Sequence, residues 1–143
     1  MDQLLRDAIF AAVEKEPFAK AFNLRLVELA RGYSRVEMIY EPEQMDNIYQ
    51  RAHGGAIFGL IDEAFETASQ TGGSIAVALN VSVTYMTSPG PRSRLTAEAR
   101  QISESRRTSH FDISVTDEAG QLIASCRALA YRTGKPVPLP PCA

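Results

Sequence analysis

The chain has 143 residues, 45% of them hydrophobic and 22% charged, and a net charge of −2. That balance suits one globular domain with one core. The absence of a long basic run argues against nucleic acid or an anionic membrane as partner.

The two cysteines, Cys126 and Cys142, form neither a disulfide framework nor a metal-ligand spacing. They read as a buried thiol and a tail thiol in a reducing compartment. No apolar run reaches the length of a membrane span. The start, Met1 to Asp7, is too acidic and its apolar stretch too short for a signal peptide, so a cytoplasmic location is expected.

Residues 2 to 16 predict a short helix. Leu5, Ile9 and Val13 recur every four residues before Pro17 ends the pattern, and Phe18 and Phe22 then lead toward the core. The first 20 residues are expected to form a helical brace. Asn23 to Ala30 and Tyr33 to Tyr40 predict two strands around Arg31-Gly32, although their alternation is imperfect. Residues 41 to 50 carry Pro, acids and Asn without periodicity and predict a loop.

The longest helical pattern follows, opened by His53-Gly54-Gly55. At about 100° per residue, Ile57, Leu60, Ile61, Ala64, Phe65 and Ala68 share one face, with Phe58 at its edge. Glu66 falls on the opposite side. Asp62 lies roughly 40° from Phe58, where loss of hydration raises a carboxyl pKa and readies it as a base or nucleophile. Glu63 borders Leu60 on the other flank. The wheel also fits two solvated acids on an ordinary amphipathic helix. The Gly pair leaves the first backbone N–H groups open to an oxyanion, and it equally fits a tight turn that needs small residues. Asn47, in the preceding loop, is a candidate donor to a substrate oxygen or a residue that shapes the loop.

Thr71-Gly72-Gly73 ends the helix. Four strands are predicted after it: Ile75 to Met86, Ser93 to Ser103, Arg107 to Thr116, and Gln121 to Tyr131. A Pro-Gly-Pro break separates the first pair, and Asp117-Glu118-Ala119-Gly120 turns between the last two. Rows of small residues, Ala97 and Ala99, then Ala124, Cys126, Ala128 and Ala130, leave room for the apolar helix. Residues 133 to 143 form a Pro-rich tail expected to leave the sheet. The fold class is α+β, one long helix against one curved sheet, in a single domain spanning 1–143.

This order, with His53-Gly54-Gly55 opening the helix, Asp62 nine residues after the His, and Val83-Thr84-Tyr85-Met86 before a Pro-Gly break, resembles the hotdog-fold acyl-CoA thioesterases. It is most similar to their phenylacetic-acid-degradation branch, over roughly residues 20 to 132. The resemblance implies an antiparallel six-stranded sheet wrapped around the helix. It implies homodimers joined edge to edge, often paired into homotetramers, with active sites at the dimer interface. Asp62 matches the acid that attacks the thioester or activates water. Gly54 matches the residue of the other subunit whose N–H polarises the carbonyl. Asn47 matches an Asn that orients substrate or water, and His53 the family His, between loop support and substrate contact.

Gly55, Phe58, Phe65 and Glu63 are expected around the acyl group. Ala78 stands where some relatives carry a hydroxyl, with Asn80 and Ser82 as polar neighbours. Arg106 and Arg107, and also Arg92 and Arg94, are candidates for the coenzyme A phosphates or are solvated strand-end arginines. No cofactor and no metal are expected. The absence of Gly-x-Ser-x-Gly disfavours a serine triad. A non-catalytic acyl-CoA-binding module shares the fold; the presence of Asp62 favours the enzyme. A dehydratase would need an Asp and a His together near the helix start, which the residues around His53 do not supply.

Overall fold

The computed structural model describes residues 1–141. Cys142, predicted as a tail thiol, lies outside the described residues; Cys126 is free and buried.

The central helix, α4 (Gly54–Gln70), is preceded by α1 (Gln3–Lys15), α2 (Pro17–Ala21), β1 (Arg25–Ala30), β2 (Tyr33–Ile39) and a short α3 (Pro42–Met45). It is followed by β3 (Ser74–Tyr85), β4 (Arg94–Glu104), β5 (Thr108–Thr116) and β6 (Leu122–Pro136). The strands form one antiparallel sheet in the order β1-β2-β4-β5-β6-β3. The sheet curls around α4, as in the hotdog fold.

Apolar periodicity fixes how α4 lies. Leu60, Ile61, Ala64 and Ala68 are 0% exposed, and Ile57 and Phe65 are also buried. Ala97 and Ala99 on β4 and Ala124, Ala128 and Ala130 on β6 are buried opposite, and their small side chains let the helix approach the strands. Phe65 packs edge-on against Phe111 at 5.5 Å between ring centroids. Burying a Leu contributes about 1.5–3 kcal/mol, so Leu60→Ala at this fully packed site would cost about 2–5 kcal/mol. Two buried hydroxyls in this interface pair with one another: Ser34 Oγ and Thr67 Oγ1 lie 2.6 Å apart, and Thr67 also donates to the Glu63 carbonyl.

The structure departs from the predicted elements in four places, each with a local cause. The imperfect alternation of β1 is a register shift between Leu26 and Glu28, which lets Leu26 and Leu29 both face the core. Residues 41–50 are not all loop, because Pro42 starts the short α3 and Met45 anchors it in the core. The N-terminal brace is two helices, broken at Glu16, whose N–H bonds back to Val13 while Pro17 opens α2. Finally, β6 runs on to Pro136. Beyond Arg132, whose N–H still reaches the Arg107 carbonyl, it has no neighbour on the β5 side and pairs only with β3, so one side of the strand needs no N–H donor there. Val137 N–H still reaches the Gly73 carbonyl at 3.0 Å.

β3 is the outermost strand beside β6. Val77, Leu79 and Tyr85 on it are exposed, Leu79 by 57%. No helix among the described residues is long and apolar enough to cross a membrane.

Candidate active site

The start of α4 is held from both sides. His53 N–H donates to the Met45 carbonyl at 2.7 Å, and a bridge between Asp46 and Ala52 closes the loop before it. Tyr40 donates its hydroxyl proton to Asp46, which ties that loop to the end of β2. Asn47 Oδ1 accepts from the Tyr49 N–H at 2.8 Å and from the Arg51 N–H at 3.2 Å. The loop-shaping role of Asn47 is therefore real, and it turns the amide so that only its NH2 remains to donate elsewhere.

His53 is the N-cap. Its Nδ1 accepts from the Gly55 N–H at 2.8 Å, leaving Nε2 as the side able to donate outward. Gly55 is thus already satisfied, and a Cβ there would sit 2.9 Å from Nδ1. Ala56 N–H bonds to the His53 carbonyl. Gly54 N–H has no acceptor among the described residues. A Cβ on Gly54 would meet the Tyr85 ring at 3.2 Å, and Tyr85 donates to the Gly54 carbonyl at 3.0 Å. Asn47, Arg51, Gly54, Tyr85 and Met86 border a cleft of about 340 Å³ here.

Two turns along α4 lies a different cleft, of about 400 Å³. Asp62 lines it with Phe18, Gly59, Ala76, Val77 and Ala78. The Asp62 carboxylate makes no hydrogen bond among the described residues and is half-buried, and burial holds its pKa above the usual value. Ala78, in the hydroxyl position of some relatives, is part of the wall. Asn80 and Ser82, further along β3, do not line it, because a register shift falls between Ala78 and Asn80. Phe65 reaches the cleft only from the core, where it is 2% exposed, and Phe58 is exposed outside it.

The acids of this cleft are less ordinary than the wheel suggests. Glu63 is 2% exposed and its Oε1 has no partner. Burial above all, then the charges of Glu16 and Glu66, push its pKa up to about 8. Glu66 is exposed on the outer flank, yet it is crowded by the cleft walls and by Glu16 and Asp62, and its pKa is pushed up to about 7.

Glu16 and Gly59 escaped the sequence reading. A Gly in a helix interior costs about 1 kcal/mol against Ala, and that cost was the available signal. Here it admits the Phe18 ring, which a Cβ would meet at 2.8 Å. Arg106 and Arg107 lie in the β4–β5 turn and line neither cleft; Arg107 donates to the Tyr131 hydroxyl. Arg92 is paired with Glu41 and Glu43.

Comparison with known proteins agrees with this fold. The family model "Thioesterase superfamily" matches residues 49–124. A putative esterase of Archaeoglobus fulgidus is 36% identical over 122 residues, 83% of this chain and 79% of that protein. The acyl-coenzyme A thioesterase PaaI of Escherichia coli is 29% identical over 87% of this chain and 88% of its own length. The structure of that PaaI protein, from the phenylacetic acid degradation operon, superposes with a TM-score of 0.89 at 26% identity, covering 94% of this chain and 97% of that one. A Streptococcus mutans protein solved bound to acetyl CoA gives a TM-score of 0.75 at 30% identity, over 80% of this chain and 92% of that one.

Proposed function

The chain belongs to the thioesterase superfamily, and from that premise we propose that it hydrolyses acyl-CoA thioesters to the free acid and coenzyme A, with Asp62 as nucleophile or general base. The observation that carries this reading is the Asp62 carboxylate, unpartnered and half-buried in a cleft wide enough for an acyl group. Its raised pKa keeps it basic enough to attack the thioester carbon or to take a proton from water. The developing oxyanion needs a donor, and the free N–H of Gly54 at the positive end of α4 is suited to it. Water's oxygen ends on the acyl carbon, and the thiolate of coenzyme A leaves and takes up a proton.

One chain does not bring these groups together. Gly54 and Asp62 are eight residues apart on one helix, roughly 12 Å along its axis. A thioester carbonyl cannot touch both. The topology offers the remedy. β3 is an open edge that starts beside Asp62, at Ala76 to Ala78, and ends at Tyr85 against Gly54. Two copies paired antiparallel through β3 about a two-fold axis set the Tyr85 end of one beside the Ala78 end of the other. The partner's Gly54 then approaches this chain's Asp62, and two equivalent sites form. Exposed Val77 and Leu79 become covered in that homodimer. Asn47 and His53 travel with Gly54: His53 as the cap that orders the helix start, Asn47 as an amide donor to substrate or water.

The test is free-thiol release from a panel of aryl-CoA and aliphatic acyl-CoA thioesters, with wild type beside Asp62→Asn. Release that depends on Asp62 is expected, and the best substrate identifies the acyl class. Acyl-CoA binding without release from any member would establish the binding-module reading instead.

A further inference from the structure

The sequence predicts no metal site, since its two His are distant and no ligand spacing is present. The tertiary structure nevertheless brings together acids from two elements. Glu16 stands at the break between α1 and α2, and Glu63 and Glu66 follow one another at i, i+3 on α4. One carboxylate oxygen from each lies within 4.8 Å of the other two. None of the three is in an ion pair among the described residues. A cluster of acids alone would be a solvated patch. Glu63 makes this one different, because it is 2% exposed, lines the Asp62 cleft, and keeps its buried Oε1 without a hydrogen-bond partner among the described residues. A buried acceptor left unpaired costs about 1–3 kcal/mol, more when charged, and a bound cation removes that cost.

We propose that Glu16, Glu63 and Glu66 form a binding site for one Ca²⁺-sized divalent cation that fastens the α1–α2 junction to the central helix. Hard oxygen donors without His or Cys select a hard cation. Coordination demand then discriminates: Ca²⁺ takes about 6–8 oxygens in flexible geometry, whereas Mg²⁺ dehydrates reluctantly and is held by few carboxylates. Three carboxylate oxygens within 4.8 Å of one another suit the larger ion, and water from the open cleft completes its coordination. Glu16 and Glu66 also border a second, apolar groove beneath α1, with Ile9, Val13 and Val137. The ion therefore sits in the partition between that groove and the Asp62 cleft, where it holds α1 down.

The experiment is titration of Ca²⁺, Mn²⁺ and Mg²⁺ into metal-free full-length protein at about pH 8.5, where the ligands are ionised, followed by calorimetry and thermal melting. One Ca²⁺ per chain is expected, with a melting temperature that rises with the logarithm of its concentration, and weaker binding of Mg²⁺. Glu63→Gln and, separately, the surface variant Glu66→Gln should each weaken Ca²⁺ at least tenfold. Absence of heat and of any melting shift up to about 10 mM Ca²⁺ or Mn²⁺, above the ~1 mM range of weak calcium modules, would overturn the proposal. Undiminished affinity in both variants would overturn it too, by placing the ion elsewhere, as would Mg²⁺ binding as tightly as Ca²⁺. None of these readouts needs a thioester, so their failure and that of the thioesterase reading are separable.

Discussion

The first turn of α4 and its third turn both border clefts, but they are built on opposite terms. At the first turn local bonds satisfy almost every polar group. His53 Nδ1 takes the Gly55 N–H, Asn47 Oδ1 takes two loop N–H groups, and one donor, Gly54, is left over. At the third turn four acids meet, none of them in an ion pair among the described residues. Asp62 makes no hydrogen bond among those residues, Glu63 has a buried orphan oxygen, and Glu16 arrives from another element to crowd them. A nearly satisfied site supplies one oriented donor; an unsatisfied one supplies reactive, proton-hungry carboxyls. The helix separates the two by roughly 12 Å along its axis.

The largest effect should come from the third turn. Asp62→Asn keeps the size of the side chain and removes its basicity, so thiol release should fall by about 10²–10⁴-fold with little change in melting. A residual rate above a tenth of wild type would move the chemistry to Glu63. At the first turn, Gly54→Ala pushes a methyl against Tyr85 and over the free N–H. We expect about 10²-fold lower kcat, within the range for loss of an oxyanion donor, and a molar mass by light scattering equal to that of wild type. A loss confined to KM would instead make Gly54 a packing residue.

Asn47→Ala should cost less turnover than either, together with some loop stability, because its oxygen already serves the loop. Losses equal to those of Asp62→Asn would promote its amide to a primary role. His53→Ala removes a cap and should lower stability by about 1 kcal/mol, a few degrees in melting. If melting is unchanged and turnover collapses, the ring contacts substrate.

The last effect is a slope. In metal-free buffer Glu63, facing Glu16, Glu66 and Asp62, keeps its proton to about pH 8, whereas the unfolded chain releases it near 4.5. The folded state binds more protons in that interval. The contribution is therefore fully present below about 4.5 and is lost as pH rises through 8. Melting temperature should fall across that window, and Glu63→Gln should flatten the fall. An unchanged slope in that variant would show that other groups set it.

Much of the local structure around the two clefts was legible in the sequence, and for local reasons. A period of 3.6 put Ile57, Leu60, Ile61, Ala64, Phe65 and Ala68 on one face, and all are buried. The same wheel set Asp62 at the margin, where burial does raise its pKa. His53-Gly54-Gly55 marked the helix start because a cap and two small residues are a signal carried by neighbours in sequence. It did not reveal that His53 occupies the Gly55 N–H, which depends on a rotamer. Glu63 was read as a border residue; it is buried, and Glu16, which stands beside it, is more than 40 residues away in the chain. Pro136 was read out of the sheet because Pro blocks a ladder, yet it is tolerated where β5 has already ended.

The sequence by itself determined the long helix and the six strands, the apolar face of α4, the small-residue rows that receive it and the helix-start motif. Each depends on spacing within one segment. Only the tertiary structure decided which acids are desolvated, which N–H remains free and which strand edge is open. Those outcomes depend on what packs across from a residue, and a single segment carries no record of its neighbours in space.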